Sequence, residues 1–365
     1  NTIRTWIPGI FLISVMAPAS MLWGTIPFDN QNNISAGERH NIVLSSEGNV
    51  IVWGSNNNYG QANVPTDLSD VITVFAGAYH NLAISSDGTV SGWGHSAWDL
   101  QDIPTELSDV VQVSAGEYFS LALTSDGSVY AWGRNIEGQT DVPESLSDVT
   151  QIAAGKDFCL ALSDNGDLTV WGDNEYGQLD VPQDLTDVLT IVAGRQFSMV
   201  LHSDGTVTAW GAGEAGESGN TDYGQSIVPE GLSDVIAISG GAYHALALKS
   251  DGSVVAWGRN NYGQIDIPEG LSDVVAISAR WNHNIALHSD GTITAWGRND
   301  YGQTDVPNNL EVLVYEIFQP QTTAELQTAV NLWVSDNATA LTTYGEINTW
   351  DVSMITDMTN IFLDK

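Results

Sequence analysis

The stretch VVAISARWNHNIALHSDGTITAWGRNDYGQTDVP (residues 274–307) is one copy of a pattern that recurs through most of the chain. Its Trp-Gly pair returns at Trp53, Trp93, Trp132, Trp171, Trp210, Trp257 and Trp296, with spacings of 40, 39, 39, 39, 47 and 39. A small-residue and G-x-x-[HF] element begins at Ala36, Ala76, Ala115, Ala154, Ala193, Gly240 and Ala279, with the same spacings. Prolines keep step at Pro65, Pro104, Pro143, Pro182, Pro229, Pro268 and Pro307. Three markers in one register, with several short strands per period, predict an all-β propeller, not a helical solenoid. The seven elements predict seven blades.

Within the second copy, Asp70 to Val74 is a β-branched run and therefore a strand. Asn81-Leu82-Ala83-Ile84 puts large residues on one face and alanine on the other, as a sheet wedged between neighbours requires. Asp87-Gly88 supplies the positive φ of a tight hairpin, and Thr89 to Trp93 is the third strand. The stretch from Gly60-Gln61 to Pro65 is then expected to carry a fourth, shorter strand and the link to the next blade. The propeller is placed at residues 20–318, with Leu310 to Phe318 or Trp23 to Ile34 closing the circle.

Charge narrows the partners. The 365 residues hold 45 Asp and Glu against 10 Lys and Arg, a formal net charge of −35. Nucleic acid and anionic membrane need basic residues to neutralise phosphate, so both are excluded as partners by composition. One cysteine, Cys159, excludes an internal disulfide. Ile7 to Ala19 is an apolar run behind Arg4 that ends in Ala17-Pro18-Ala19, so residues 1–19 are expected to be a signal peptide. A secreted or cell-surface location follows from that expectation.

The repeats resemble those of the regulator of chromosome condensation, of the compact bacterial kind also seen in the propeller-type β-lactamase-inhibitor family. That resemblance implies a seven-bladed propeller and a loop face that binds proteins. It also brings guanine-nucleotide exchange as an alternative, because the founding family acts that way. Beyond Pro320, Thr322-x-x-Glu325 is a capping box before an amphipathic helix with Leu326, Ala329, Val330 and Trp333 on one face. Trp350-Asp351-Val352-Ser353 through Phe362 then resembles the opening of leucine-rich-like repeats of bacterial surface antigens. Residues 319–365 are read as that helix plus the start of such a repeat, which implies an adhesin-like context and admits glycan binding as a further alternative.

No catalytic constellation, cofactor motif or metal site emerges. His40, His80, His244 and His283 share a slot that is Phe119, Phe158 and Phe197 in other copies, so packing chooses the residue. Blades stack about 10 Å apart, too far for equivalent histidines to share one ion. Gly211 to Gly216 spells G-x-G-x-x-G but lies in a β repeat beside Glu214 and Glu217, where a dinucleotide site has no helix to rest on. It coincides with the longest insertion, in blade 5.

The remaining signal is aromatic. Tyr59, Tyr176, Tyr223, Tyr262 and Tyr301 each precede a Gly-Gln pair, with Trp98 in the matching loop of blade 2. Together with Glu214, Glu217 and Asp222 of the insertion, they are the expected partner-binding residues. Tyr and Trp give large contact area at small entropic cost. Aromatic anchors among carboxylates predict a protein partner with an apolar patch rimmed by Lys or Arg. The reading is a non-catalytic binding module.

Overall fold

The computed structural model describes residues 30–314, apart from 56 and 214–221, together with residue 328. The expected signal peptide, the C-terminal helix and repeat, and Glu214 and Glu217 all lie outside the described residues.

Seven antiparallel sheets of three strands follow one another, each ordered as in the chain. Blade 2 is the template, with an inner strand Val71–Ala76, a middle strand His80–Ser85 and an outer strand Val90–Gly94. Alternation explains the stacking. Leu82 and Ile84 pack with Val113 and Ala122 of blade 3, whereas Ala83 faces Ile42 and Leu44 of blade 1. Large side chains of one blade thus fill the space above the alanines of the next. Each fully buried Leu or Ile in these seams contributes about 1.5–3 kcal/mol.

Polar stitches repeat with the same register. Every tryptophan of the Trp-Gly pairs donates its indole Nε1–H to a backbone carbonyl of the preceding blade's exit loop. Trp93 reaches Gln61 at 3.1 Å, Trp171 reaches Gln139 at 3.1 Å and Trp257 reaches Gln225 at 2.9 Å. Nearer the axis, Ser35 Oγ accepts from the Ala76 amide and Ser114 Oγ from the Ala154 amide, both at 2.9 Å. Each such bond adds about 1 kcal/mol net, and leaving its buried members unpaired would cost more.

The circle closes on the same interactions. Ile34 and Val43 of blade 1 pack with Ala276, Ile285 and Leu287 of blade 7, and Trp53 donates to the Gln303 carbonyl at 3.2 Å. The inner strand of blade 1 is itself composite. Ile34–Ala36 supplies its axial half, pairing with Val43, Ile42 and Asn41. Its outer half comes from the other end of the propeller: Val312 bridges Ser45, and the Leu313 amide donates to the Leu44 carbonyl at 3.0 Å. Asn33 Nδ2 ties the halves by donating to the Leu313 carbonyl at 2.8 Å. Residues 33–34 and 312–313, one pair from each segment expected to close the circle, therefore take part in the closure, and the remainder of both segments beyond residues 30 and 314 lies outside the described residues.

Two expectations need correction. Among the described residues no fourth strand forms between Gly60 and Pro65. The Gln61 carbonyl that a ladder would use already accepts from Trp93 Nε1 and from Asn81 Nδ2, at 3.1 and 2.8 Å, and Pro65 has no amide hydrogen to give. Second, blade 7 does not keep the G-x-x-[HF] glycine, since Arg280 stands there. In the other blades the buried ring of the His or Phe lies against that glycine. A Cβ on Gly155 would stand 2.0 Å from the Phe158 ring. Gly155→Ala is therefore expected to cost about 3 kcal/mol in urea melts, as severe overpacking does. Gly166→Ala, where a Cβ meets nothing within 4 Å, should cost only the left-handed strain, about 1–2 kcal/mol.

Candidate functional site

The hairpin geometry sorts the loops onto two faces. His80 pairs with Gly94 while Val71 pairs with Ser85, so the Asx-Gly turns and the Leu-Ser-Asp linkers share one end of each blade. That end carries Asp87, Asp126, Asp204, Asp251 and Asp290, each bonded to the amide two residues on. The G-x-x-[HF] loops and the Tyr-Gly-Gln loops leave the opposite end. Tyr59, Trp98, Tyr176, Tyr223, Tyr262 and Tyr301 are all on this loop face, and Asp222 stands beside Tyr223 in the same loop.

A buried glutamine fixes the exit loop in every blade but the second, where Leu100 takes its place. The Gln178 Oε1 accepts from the Tyr176 amide at 2.8 Å, and Gln225, Gln264 and Gln303 hold Tyr223, Tyr262 and Tyr301 the same way at 2.9–3.0 Å. These glutamines are fully buried, so the loop corner is set and the tyrosine projects from it. Tyr59, Tyr262 and Trp98 are the exposed members, 40–48% accessible, whereas Tyr176, Tyr223 and Tyr301 are half-buried.

The structure adds a second aromatic set nearer the axis. Tyr79, Tyr118, Tyr243 and Trp281 come from the G-x-x-[HF] loops. Tyr59 meets Tyr79 at 5.4 Å and His95 at 4.3 Å, and Tyr79 stacks on Tyr118 at 5.1 Å. Burial raises the Tyr79 hydroxyl pKa well above its usual value, assisted by the Glu38 carboxylate beside it. Tyr223 packs on Tyr243 at 5.3 Å. An aromatic residue one place before the His or Phe, as in Gly77-Ala78-Tyr79-His80, or two places before it for Trp281, was the available signal for this set.

Arginine is the larger surprise. The anchors are not simply surrounded by carboxylates, as expected from composition. Of the chain's ten Lys and Arg, Arg39, Arg134, Lys156, Arg195, Arg259, Arg280 and Arg298 all sit on the loop face. Lys249 lies at the turn end, and the other two are outside the described residues. Arg259 stands 4.8 Å over Tyr223 and Arg298 4.9 Å over Tyr262. Arg39 lies 4.6 Å over Tyr301, and Arg195 4.4 Å over Trp281. The loop carboxylates Asp141, Asp180, Asp266 and Asp305 instead accept from Asn135, Asn174, Asn260 and Asn299, each six residues earlier in the same loop, at 2.7–2.9 Å.

At the axis the G-x-x-[HF] loops form a collar. The Glu117 amide donates to the Lys156 carbonyl, Lys156 to Arg195, and Arg195 to Gly241, at 3.1–3.2 Å. Arg280 crosses the opening: its Nη2 donates to the carbonyls of Ala115 and Gly116, across the circle in blade 3, at 2.7 and 2.9 Å. Enclosure there lowers its pKa to about 10, so it remains a cation at neutral pH. The opening is a small depression lined by Glu117, Lys156, Arg195 and Trp281. It is no deep pocket.

The histidines are part of the frame. His40, His80, His244 and His283 are fully buried, and each Nε2 meets Asn or Ser of the next blade, at 2.6–2.8 Å. Burial lowers His40 and His244 to about 4 and His80 and His283 to about 3, so all are neutral at pH 7. Cys159 takes the corresponding slot in blade 4, its Sγ donating to the Gln139 carbonyl at 3.2 Å. Gly213, within the G-x-G-x-x-G string, turns with φ 91° against Gln225.

Fold and loop face together define a seven-bladed propeller that gathers its aromatic anchors and most of its described cations on one surface. A family model described as the RCC1-like domain matches residues 96–351, and the regulator of chromosome condensation (RCC1) repeat matches residues 32–61 and 71–97. The chain belongs to the RCC1-like domain family. Yeast RCC1 (Prp20) bound to Kap60 is similar in structure, with 18% identity, a TM-score of 0.59 and coverage of 86% of this chain and 88% of that one. Prp20p from Saccharomyces cerevisiae, described for its binding to Gsp1p and histones, gives 22% identity, a TM-score of 0.56 and coverage of 69% and 77%. The CRINKLY WD40 ectodomain of the Arabidopsis thaliana receptor kinase ACR4 gives 21% identity, a TM-score of 0.58 and coverage of 77% and 97%. No curated protein matches the sequence. At these identities the likeness is one of fold.

Proposed function

We propose that the chain is a non-catalytic protein-binding module of a secreted or cell-surface protein, and that it engages its partner through the loop face. One observation carries this reading: large exposed aromatic side chains and nearly all described cations are gathered on one end of a rigid disc. The other end carries short carboxylate-bearing turns, with Lys249 and no exposed aromatic side chain among the described residues. Aromatic and Arg side chains dominate interface energetics because they bury much area and lose little freedom. Relatives of the same fold are described with protein partners, Gsp1p, histones and Kap60, which supports the class of ligand. The export signal read in residues 1–19 supports the location.

The test uses a partner captured from the native surroundings of the protein. Alanine at Tyr59, Trp98 and Tyr262 should each weaken that complex by more than about 1 kcal/mol. Neutralising Asp126, Asp204 and Asp290 on the turn face should leave it unchanged. Capture that depends on the turn face, or that ignores all three aromatic changes, overturns the reading. The alternative of guanine-nucleotide exchange is separated by assay: accelerated nucleotide release from a small GTPase would favour it.

A further inference from the structure

Three exposed large apolar side chains fall in consecutive exit loops. Tyr59 of blade 1 is 41% accessible, Trp98 of blade 2 48% and Ile136 of blade 3 58%. Toward the axis the surface stays aromatic. Tyr59 and Tyr118 both meet His95, at 4.3 and 6.0 Å, and Tyr79 lies 5.4 Å from Tyr59 and 5.1 Å from Tyr118. The middle loop departs from the repeat. With Leu100 in the glutamine slot, the loop is held instead by His95 Nδ1, which accepts from the Ala97 amide at 2.9 Å. Trp98 and Asp99 take φ of 64° and 57°, a left-handed conformation that residues with a Cβ seldom adopt. Blade 2 thus displays an indole to solvent from a disfavoured backbone, and such residues cluster where proteins grip ligands.

The charges around this row are negative in excess. Glu38 pairs with Arg39 at 3.1 Å and Glu117 with Arg195 at 3.6 Å, while Asp157 takes both Arg134 at 2.6 Å and Lys156 at 3.2 Å. Asp99, Asp102, Glu137 and Asp141 are exposed and have no cationic partner among the described residues. Asp141 gives one oxygen to Asn135 and keeps the other. Three paired and four unpaired carboxylates therefore stand against five cations, the buried Arg280 included.

We propose that the exit loops of blades 1 to 3 dock a basic, apolar polypeptide segment of the partner. Its Lys or Arg side chains pair with Asp99, Asp102, Glu137 and Asp141, and its apolar side chains lie on Tyr59, Trp98 and Ile136. Neighbouring blades stand about 10 Å apart, so the row spans about 20 Å, the reach of roughly six extended residues. Lys and Arg suit both parts of the surface, because their apolar stems cover rings while their charged heads reach carboxylates. A second copy of this chain fits poorly, since each copy carries a net charge of −35. Nucleic acid would bring phosphates to a surface already rich in carboxylates. The inference rests on the loop face being the binding face, and it assigns the sector and the chemistry of the occupant.

Fluorescence anisotropy on the full chain at physiological salt tests it, with a labelled hexapeptide of alternating lysine and leucine. Saturable binding is expected, at least about tenfold tighter than for alternating lysine and serine or alternating glutamate and leucine. Trp98→Ala should lower affinity about tenfold and Ile136→Ser about threefold or more, as loss of interface anchors does. Asp99→Asn and Glu137→Gln should each lower it about two- to fivefold, the range of exposed ion pairs, and should flatten its salt dependence. All four positions are exposed, so urea midpoints should match the parent chain. Arg259→Gln in blade 6 and Asp251→Asn on the far face should leave binding unchanged. Absence of binding, equal binding of the glutamate peptide, or a loss at Asp251→Asn as large as at Asp99→Asn would each overturn the proposal. If the lysine peptide fails while partner capture still depends on Tyr59 and Trp98, the basic segment is wrong and the binding face stands. If both fail, the binding face falls too.

Discussion

Lowering the pH from 6.5 to 5 is expected to remove several kcal/mol of stability, on the order of 1–2 kcal/mol from each of four buried histidines. The sign follows from where the proton is bound. Burial holds the folded pKa values of His40, His80, His244 and His283 at about 3 to 4, below the unfolded value near 6.5. The unfolded chain therefore binds more protons in this window. Stability is complete above pH 6.5 and falls steadily as the pH drops toward the folded values. Ordinary carboxylic acids titrate near pH 4, below this window, so the histidines dominate there. Urea midpoints at pH 7, 6 and 5 measure the slope. Phe, already used in the same slot by blades 3 to 5, should flatten it when placed at His40, His80, His244 and His283. A midpoint that hardly moves between pH 7 and 5 would refute the assignment.

Cutting the chain after Asn309 should cost at least about 5 kcal/mol and convert one sharp melt into a broad one. The deleted residues include Val312, 2% exposed, and its hydrogen-bonded neighbour Leu313. Val312 packs with blades 1 and 7 together, and the Leu313 carbonyl holds Asn33. Their loss removes about 1.5–3 kcal/mol per buried aliphatic side chain and strands buried polar groups at the seam. With the seam open, terminal blades can fray independently, as in a linear repeat array. A chain ending at Val314 retains every described contact of the seam and is the matched control. Equal melting of the two truncated chains would show that the seam does not depend on Val312 and Leu313.

Much of this architecture was legible in residue spacing. The Trp-Gly period counts the blades, alternating Leu-Ala-Leu triplets mark the wedged middle strands, and Asx-Gly pairs mark the turns. What escaped is what needs the circle closed. Gln61 reads as part of a strand until one sees that its carbonyl serves Trp93 and Asn81. The arginines that lie over the loop-face rings occupy different slots in their repeats: Arg39 just before the histidine, Arg195 one place earlier, Arg259 and Arg298 after Trp-Gly. No single column of the repeat displays them as a set. Only the packing of neighbouring blades brings them side by side on the same tyrosines. Arg280 is visible in the sequence as a broken glycine slot, but its reach to Ala115 on the far side is not.

Three strands per blade leave seven outer strands with one unpaired edge each among the described residues, from Val50–Gly54 round to Ile293–Gly297. Such edges invite pairing with another copy of the chain. Two features discourage it here: a proline in each linker, which cannot extend a ladder, and a net charge of −35, which keeps molecules apart. The second safeguard fails near the isoelectric point of about 4.1, where charge repulsion vanishes while the histidines are loosening the blades. Acid unfolding should therefore end in cross-β aggregation between pH 4 and 5. A brief passage to pH 2, where the chain is strongly cationic, should instead be recoverable on return to neutrality.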